Sequence, residues 1–136
     1  EKIRLLVALT RFQDPALLTK TLEDSLSSKV RSQDSITVVT GVAGNPKGRD
    51  LAWEFVKSNW GEFDRRYGGG GFGLMRLVSI CSYFNSQEKA NEVDRFFSEH
   101  PAPAAERTIR QAMERVRLNI KWLEQNRSEL TNFFSG

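Results

Sequence analysis

Apolar residues recur at intervals of three and four along nearly the whole chain. No segment alternates like a half-buried strand for more than a few residues, which predicts an all-α molecule. The first segment, Ile3 to Phe12, is apolar at Leu5, Leu6, Leu9 and Phe12. Asp14-Pro15 then restarts a helix, with Asp14 placed to cap and Pro15 in the first turn, where its missing N–H is harmless. That second helix puts Leu18, Leu22 and Leu26 on one face. Ser27-Ser28 loosens the chain, and a third helix is predicted from near Gln33 to Val42. Its Ile36, Val38, Val39 and Val42 are β-branched, so a strand competes here. A buried helix fits better between two helical neighbours.

Asn45-Pro46 repeats the capping logic and predicts a long helix to about Tyr67. Trp53, Val56, Trp60, Phe63 and Tyr67 step by three and four, one continuous stripe on a helix. Each such side chain contributes roughly 1.5–3 kcal/mol when buried, so the stripe is a main anchor of the expected core. Gly68 to Gly71 ends that helix. A fifth, Phe72 to about Phe84, turns Leu74, Leu77, Val78 and Cys81 inward. A sixth, capped by Ser86, runs to Ser98 with Val93, Phe96 and Phe97 inside. His100-Pro101-Ala102-Pro103 is a stiff break, because proline disfavours helix in the residue before it. The last helix, about Ala104 to Phe134, is expected to bury Ile109, Met113, Val116, Ile120 and Leu123, then Leu130 and Phe133 after a kink near Asn126. About seven helices with short links make antiparallel hairpins. Although no strong self-similarity recurs at a fixed period, consecutive hairpins without a sheet predict a HEAT/armadillo-like α-solenoid rather than a closed four-helix bundle.

Composition narrows the function classes. The 136 residues are 39% hydrophobic and 27% charged, enough for a single domain over 1–136 with its own core. Twenty Lys and Arg against 17 Asp and Glu leave +3, too mild to announce a nucleic-acid partner. One cysteine excludes an internal disulfide framework, and one histidine excludes a zinc site built on two imidazoles. Apolar runs such as Leu5 to Leu9 are far short of the roughly 20 residues that span a bilayer. The chain opens Glu1-Lys2-Ile3-Arg4 already in helical pattern, with no initiator methionine and no cap. It is therefore expected to be part of a longer polypeptide, with Leu5, Val7 and Leu9 short of partners on one side.

Candidate chemistry is sparse. Gly68, Gly70 and Gly73 form a literal G-x-G-x-x-G, but a dinucleotide site needs that motif after a strand, and here it follows an amphipathic helix. Cys81 lies on an apolar face, where a thiol is a small hydrophobe, and His100 sits in a proline turn, so a catalytic dyad is not expected. Along the last helix Arg107, Arg110, Arg115, Arg117 and Lys121 are interleaved with Glu106, Glu114 and Glu124, which dilutes the potential that phosphate binding requires. Glu54 with Glu62, or Asp94 with Glu99, show no spacing that marks a general acid and base. Asn126-Arg127-Ser128 fits a glycosylation tripeptide that is common by chance. Arg11 stands at the junction of the first hairpin. It reads either as a surface or capping arginine, or as an anion-binding arginine on the concave side of a solenoid, able to take a peptide carboxylate in a bidentate pair.

Longer stretches carry a resemblance. Ile3 to Leu26, Val30-Arg31-Ser32-Gln33-Asp34, Gly48-Arg49-Asp50-Leu51-Ala52-Trp53, Asn59-Trp60, Arg66-Tyr67-Gly68-Gly69, Glu92-Val93 with Phe96-Phe97, and His100 to Ile109 together resemble the C-terminal domain of gluzincin-type zinc aminopeptidases. They are most like the branch of puromycin-sensitive aminopeptidase and its fungal relatives. The glycine run is longer here than the pair that branch carries. The resemblance implies a superhelical domain of HEAT-like hairpins in an enzyme that removes N-terminal amino acids from peptides with a zinc-bound water. The H-E-x-x-H helix for that chemistry is absent from residues 1–136, so zinc and general base are expected in a separate catalytic domain. The resemblance further implies a segment without catalytic or metal-binding residues that closes over the active site and lines the peptide cavity, with Arg11 facing that cavity. Its implied partners are the catalytic domain and peptide substrates, not nucleic acid or membrane, and cytoplasmic residence is expected. A free-standing helical-repeat scaffold that binds a peptide or protein is the alternative.

Overall fold

The computed structural model describes residues 2–135; within them the side chains of Lys2, Ile3, Leu6, Phe134 and Ser135 are not described. The expectations placed on Glu1 as the chain start and on the Leu6 side chain lie outside the described residues. The elements in order are α1 (Lys2–Leu9), α2 (Pro15–Ser25), α3 (Ser32–Gly44), α4 (Arg49–Ser58), α5 (Trp60–Tyr67), α6 (Phe72–Val78), a 3-10 turn (Ser79–Tyr83), α7 (Gln87–Glu99), a 3-10 turn (Pro103–Ala105) and α8 (Glu106–Ser135). Among the described residues no strand occurs, and the β-branched run in α3 is helical. The all-α expectation therefore holds.

The helices form two layers. In the first, α1 packs on α3, α3 on α6 and its 3-10 extension, and these on α8. In the second, α2 packs on α4, and Trp53 of α4 meets Phe96 and Phe97 of α7 at ring separations of 5.3 and 6.1 Å. Alternate helices thus share a layer, which is how stacked antiparallel hairpins pack. One core cluster runs between the layers, from Leu18 and Leu22 through Val39, Val42, Trp53 and Phe63 to Leu77, Val93, Met113 and Val116. Asp14 caps α2 as expected, its carboxylate accepting from the Ala16 N–H at 2.9 Å, and Ser86 caps α7 by accepting from Lys89 N–H.

Five expectations need correction. The Asn45-Pro46 pair does not start a helix: residues 45–48 form a turn and α4 begins at Arg49, because the Asn45 side chain is engaged elsewhere. The long fourth helix is broken at Asn59, where the backbone leaves helical geometry (φ −116°, ψ 21°) while the side-chain amide folds back onto the Phe55 carbonyl at 2.9 Å. The hydrophobic stripe survives this break, with Trp53, Val56, Trp60 and Phe63 buried. The fifth helix tightens into 3-10 geometry after Val78. Finally, α8 runs unbroken past Asn126 to Ser135, and Leu130 and Phe133 are exposed rather than core. At the other end α1 stops at Leu9, and both Leu5 (63% exposed) and Phe12 face outward.

Candidate functional site

Arg11 sits in the turn that follows α1, its N–H bonded to the Ala8 carbonyl at 3.1 Å and its side chain exposed. Thr10, just before it, is buried. Its hydroxyl donates to the Val7 carbonyl at 2.6 Å, and its side chain lies against Gly41 of α3. A Cβ on Gly41 would come within 2.8 Å of Thr10 Oγ1, so glycine permits this approach of the turn to α3. The next contact was not legible as such in the sequence. Asn45 donates its side-chain amide to the carbonyls of Thr10 (3.0 Å) and Phe12 (2.7 Å), while its Oδ1 accepts from Lys47 N–H at 2.9 Å. One buried asparagine therefore clamps the carbonyls on either side of Arg11. Arg11, Val7, Gln13, Gly44 and Pro46 line an open pocket of about 450 Å³ there. Among the described residues no carboxylate pairs with the Arg11 guanidinium.

The same device recurs at the far end of that layer. Asn119 of α8 donates its side-chain amide to the carbonyls of Ser82 (3.1 Å) and Phe84 (3.0 Å), leaving Tyr83 between them, 44% exposed. The Arg49 guanidinium lies 5.0 Å from the centroid of the Tyr83 ring.

The remaining candidates resolve into structure. Cys81 is wholly buried, and burial pushes its thiol far above the ordinary range. His100 stacks on Phe96 at 4.4 Å between centroids and places Nδ1 3.1 Å from the Phe96 carbonyl. Gly70 (φ 109°) and Gly71 (φ 97°) hold the connector between α5 and α6, with no strand before it. Glu62 pairs with Arg65 and Arg66, whose hydrogen bonds hold its carboxyl at about 2, and Arg66 also reaches the Leu26 carbonyl at 3.3 Å. Glu54 pairs with Lys57 at 2.6 Å, and Asp94 approaches Arg117 at 3.9 Å. Asn126, the glycosylation candidate, lies within α8 and donates to the Trp122 carbonyl.

Glu92 is the densest polar hub. It accepts from Trp53 Nε1 at 2.9 Å, pairs with Lys57 on the same oxygen, and approaches Lys89 at 3.4 Å on the other. Burial raises the Glu92 carboxyl, but the hydrogen bonds from Lys57 and Trp53 and the two ammonium charges outweigh it, so its value is lowered. Burial likewise opposes the charge on Lys57, whose bonds to Glu54 and Glu92 leave it raised. These groups tie α4 to α7.

Among the described residues, no group of three or more His, Cys, Asp or Glu side chains could hold a metal ion. Likewise, no helix of the described residues is long and apolar enough to cross a membrane.

Comparison with known proteins gives this architecture a lineage. Residues 1–118 match the family described as the ERAP1-like C-terminal domain. Aminopeptidase M1 of Arabidopsis thaliana is 37% identical over 130 residues, 95% of this chain and 14% of that protein. Aminopeptidase Ey of Gallus gallus is 31% identical over 139 residues, covering 98% of this chain and 14% of its own length. Endoplasmic reticulum aminopeptidase 2 of Bos taurus is 36% identical over 129 residues, with shares of 93% and 14%. The chain thus spans 14% of the length of the curated relatives it matches. With a family match over most of its length and aminopeptidases aligned along nearly all of it, the chain belongs to the ERAP1-like C-terminal domain family.

Proposed function

We propose that this chain is the non-catalytic C-terminal domain of a zinc-dependent aminopeptidase, closing over the active site of a separate catalytic domain and lining the cavity that receives the peptide. The observation that carries this reading is the family match over residues 1–118, seated on a two-layer helical stack. Zinc and its activated water belong to the catalytic domain, where the metal supplies the nucleophile for amide hydrolysis. The residues here bind and enclose. Arg11, exposed and without a carboxylate partner among the described residues, takes a peptide carboxylate in a charge-assisted pair. Movement of this domain against the catalytic one admits and then sequesters substrate. Its partners are that domain and peptide substrates. Cytoplasmic residence belongs to the same reading, supported by the free, buried Cys81.

The test has two arms. The isolated chain is expected to leave aminoacyl-naphthylamide substrates intact and to bind no stoichiometric zinc; turnover that a chelator abolishes overturns the proposal. In the full enzyme, Arg11→Ala is expected to raise KM for long peptides and leave short chromogenic substrates unaffected. Unchanged kinetics on long peptides, with unchanged stability, remove the role of Arg11.

A further inference from the structure

Arg11 and Tyr83 occupy matching places in two copies of one device, each presented between a pair of carbonyls clamped by an asparagine, Asn45 at the C-terminal cap of α3 and Asn119 within α8. Both belong to the first layer, and Gly44 stands between their surroundings. Gly44 lines the Arg11 pocket, and a Cβ placed on it would stand 3.6 Å from the Tyr83 hydroxyl. Beyond, Tyr83 shares a pocket of about 220 Å³ with Asn119 and Trp122. Trp122, 57% exposed, in turn lines a third pocket of about 420 Å³ with Arg115 and Lys121.

Lys57, Arg65, Arg66 and Lys89 are spent on Glu54, Glu62, Glu92 and Asp50. Along the Arg11–Trp122 edge, Arg11, Arg49, Arg115 and Lys121 have no carboxylate partner among the described residues. The Arg49 Nε atom is buried and has no hydrogen-bond partner, although its guanidinium lies over Tyr83. A carboxylate arriving here breaks no existing ion pair, and it meets donors already fixed against an aromatic face. The clamps also engage the carbonyls that flank Arg11 and Tyr83, so an anion does not face them bare.

We infer that this edge is an extended track for an acidic, aromatic-bearing peptide: its terminal carboxylate at Arg11, an acidic side chain beside Arg49 above Tyr83, and an aromatic side chain against Trp122. The inference rests on the proposed Arg11–carboxylate contact and adds to it the path and chemistry of the residues upstream. Arg49 and Trp122 are then selectivity determinants for the peptide interior. Stacking on Trp122 favours flat side chains, and Arg49 discriminates glutamate from glutamine.

Calorimetric titration of the 136-residue chain tests this. The probe is a Gly/Ser decapeptide with a free carboxyl terminus, one upstream glutamate and one phenylalanine further upstream, compared with its C-terminal amide and with its Gln and Ala variants. The Glu→Gln peptide is expected to bind about fivefold more weakly to the unaltered chain and equally well to Arg49→Gln, a coupling typical of a charge-assisted pair. Trp122→Ala is expected to erase the advantage of phenylalanine over alanine. Because the peptide variants probe the unaltered chain, a folding defect in Arg49→Gln does not blunt the test. Indifference to Arg49→Gln and Trp122→Ala, with binding still lost on amidation or in Arg11→Ala, overturns the track and leaves the Arg11 contact standing. Sensitivity at Arg49 and Trp122 with indifference to amidation removes the Arg11 contact instead. Absence of binding at millimolar peptide, or displacement of the peptide by an equal concentration of a dT10 oligonucleotide, overturns the track outright.

Discussion

Asn45 and Asn119 show how a single side chain can set what a loop presents. Each supplies two amide hydrogens to two carbonyls that no helix satisfies, and both carbonyls flank an outward-facing residue. Asn45→Asp replaces the donor with a carboxylate facing two carbonyl oxygens. It is expected to destabilise the chain by about 1–3 kcal/mol in urea titration, with Asn45→Ala nearer the lower end. Arg11 could be singled out from the sequence because it follows an apolar face and precedes a proline turn. Its clamp could not, since Asn45 lies 35 residues from Thr10 and looks, beside Pro46, like a helix start. Local pattern was overridden by a distant hydrogen-bond demand. Glu92 gives a prediction of a different kind. Its carboxyl titrates below the ordinary value of 4.5 in the folded state, so its contribution is present above that value and is lost as pH falls through the lower, folded one. Glu92→Gln is expected to flatten part of the acid limb of a stability-against-pH curve. An acid limb unchanged from the parent removes Glu92 as a contributor.

At the scale of elements, the helices follow from apolar spacing, and the exceptions have local causes. The stripe from Trp53 to Phe63 reads as one helix because its buried residues stay in phase across Asn59, so periodicity alone cannot reveal the interruption. The opposite error occurs in α8. Leu130 and Phe133 continue the apolar pattern although both are exposed, and a pattern records a face without recording how deeply it is buried. The junction between α3 and α4 is tighter than its sequence suggests. A Cβ on Gly48 would stand 2.6 Å from both the Val42 carbonyl oxygen and Val42 Cγ1, with Leu18 Cδ1 3.3 Å away. Backbone cannot yield as a flexible side chain does, so Gly48→Ala is expected to cost about 1–3 kcal/mol, read from thermal or urea unfolding. Wild-type stability in that variant would mean that the α3–α4 turn shifts freely.

Across the whole molecule, one aromatic cluster joins the layers' far ends. Trp53 meets Phe84, Phe96 and Phe97, and Trp60 meets the last two again. Trp53→Ala removes a fully buried ring from the centre of this cluster and is expected to cost about 3–5 kcal/mol, enough to unfold a marginally stable chain at physiological temperature. Cys81 reports on the same core from within. Buried, and with its thiol held protonated, it is expected to resist iodoacetamide in the native chain and to react once urea opens the stack; rapid native labelling would reveal local opening at the 3-10 turn. The layered helical architecture was legible because burial imposes a period on sequence. The ion pairs between helices were not, since they depend on which side chains the stack brings together. The asparagine clamps carry a consequence for how such a domain diversifies. They hold main chain rather than the residue between, so position 11 or 83 can be exchanged without disturbing the frame that displays it. What this part of the surface displays is thereby uncoupled from foldability, and a lineage can retune the one while keeping the other.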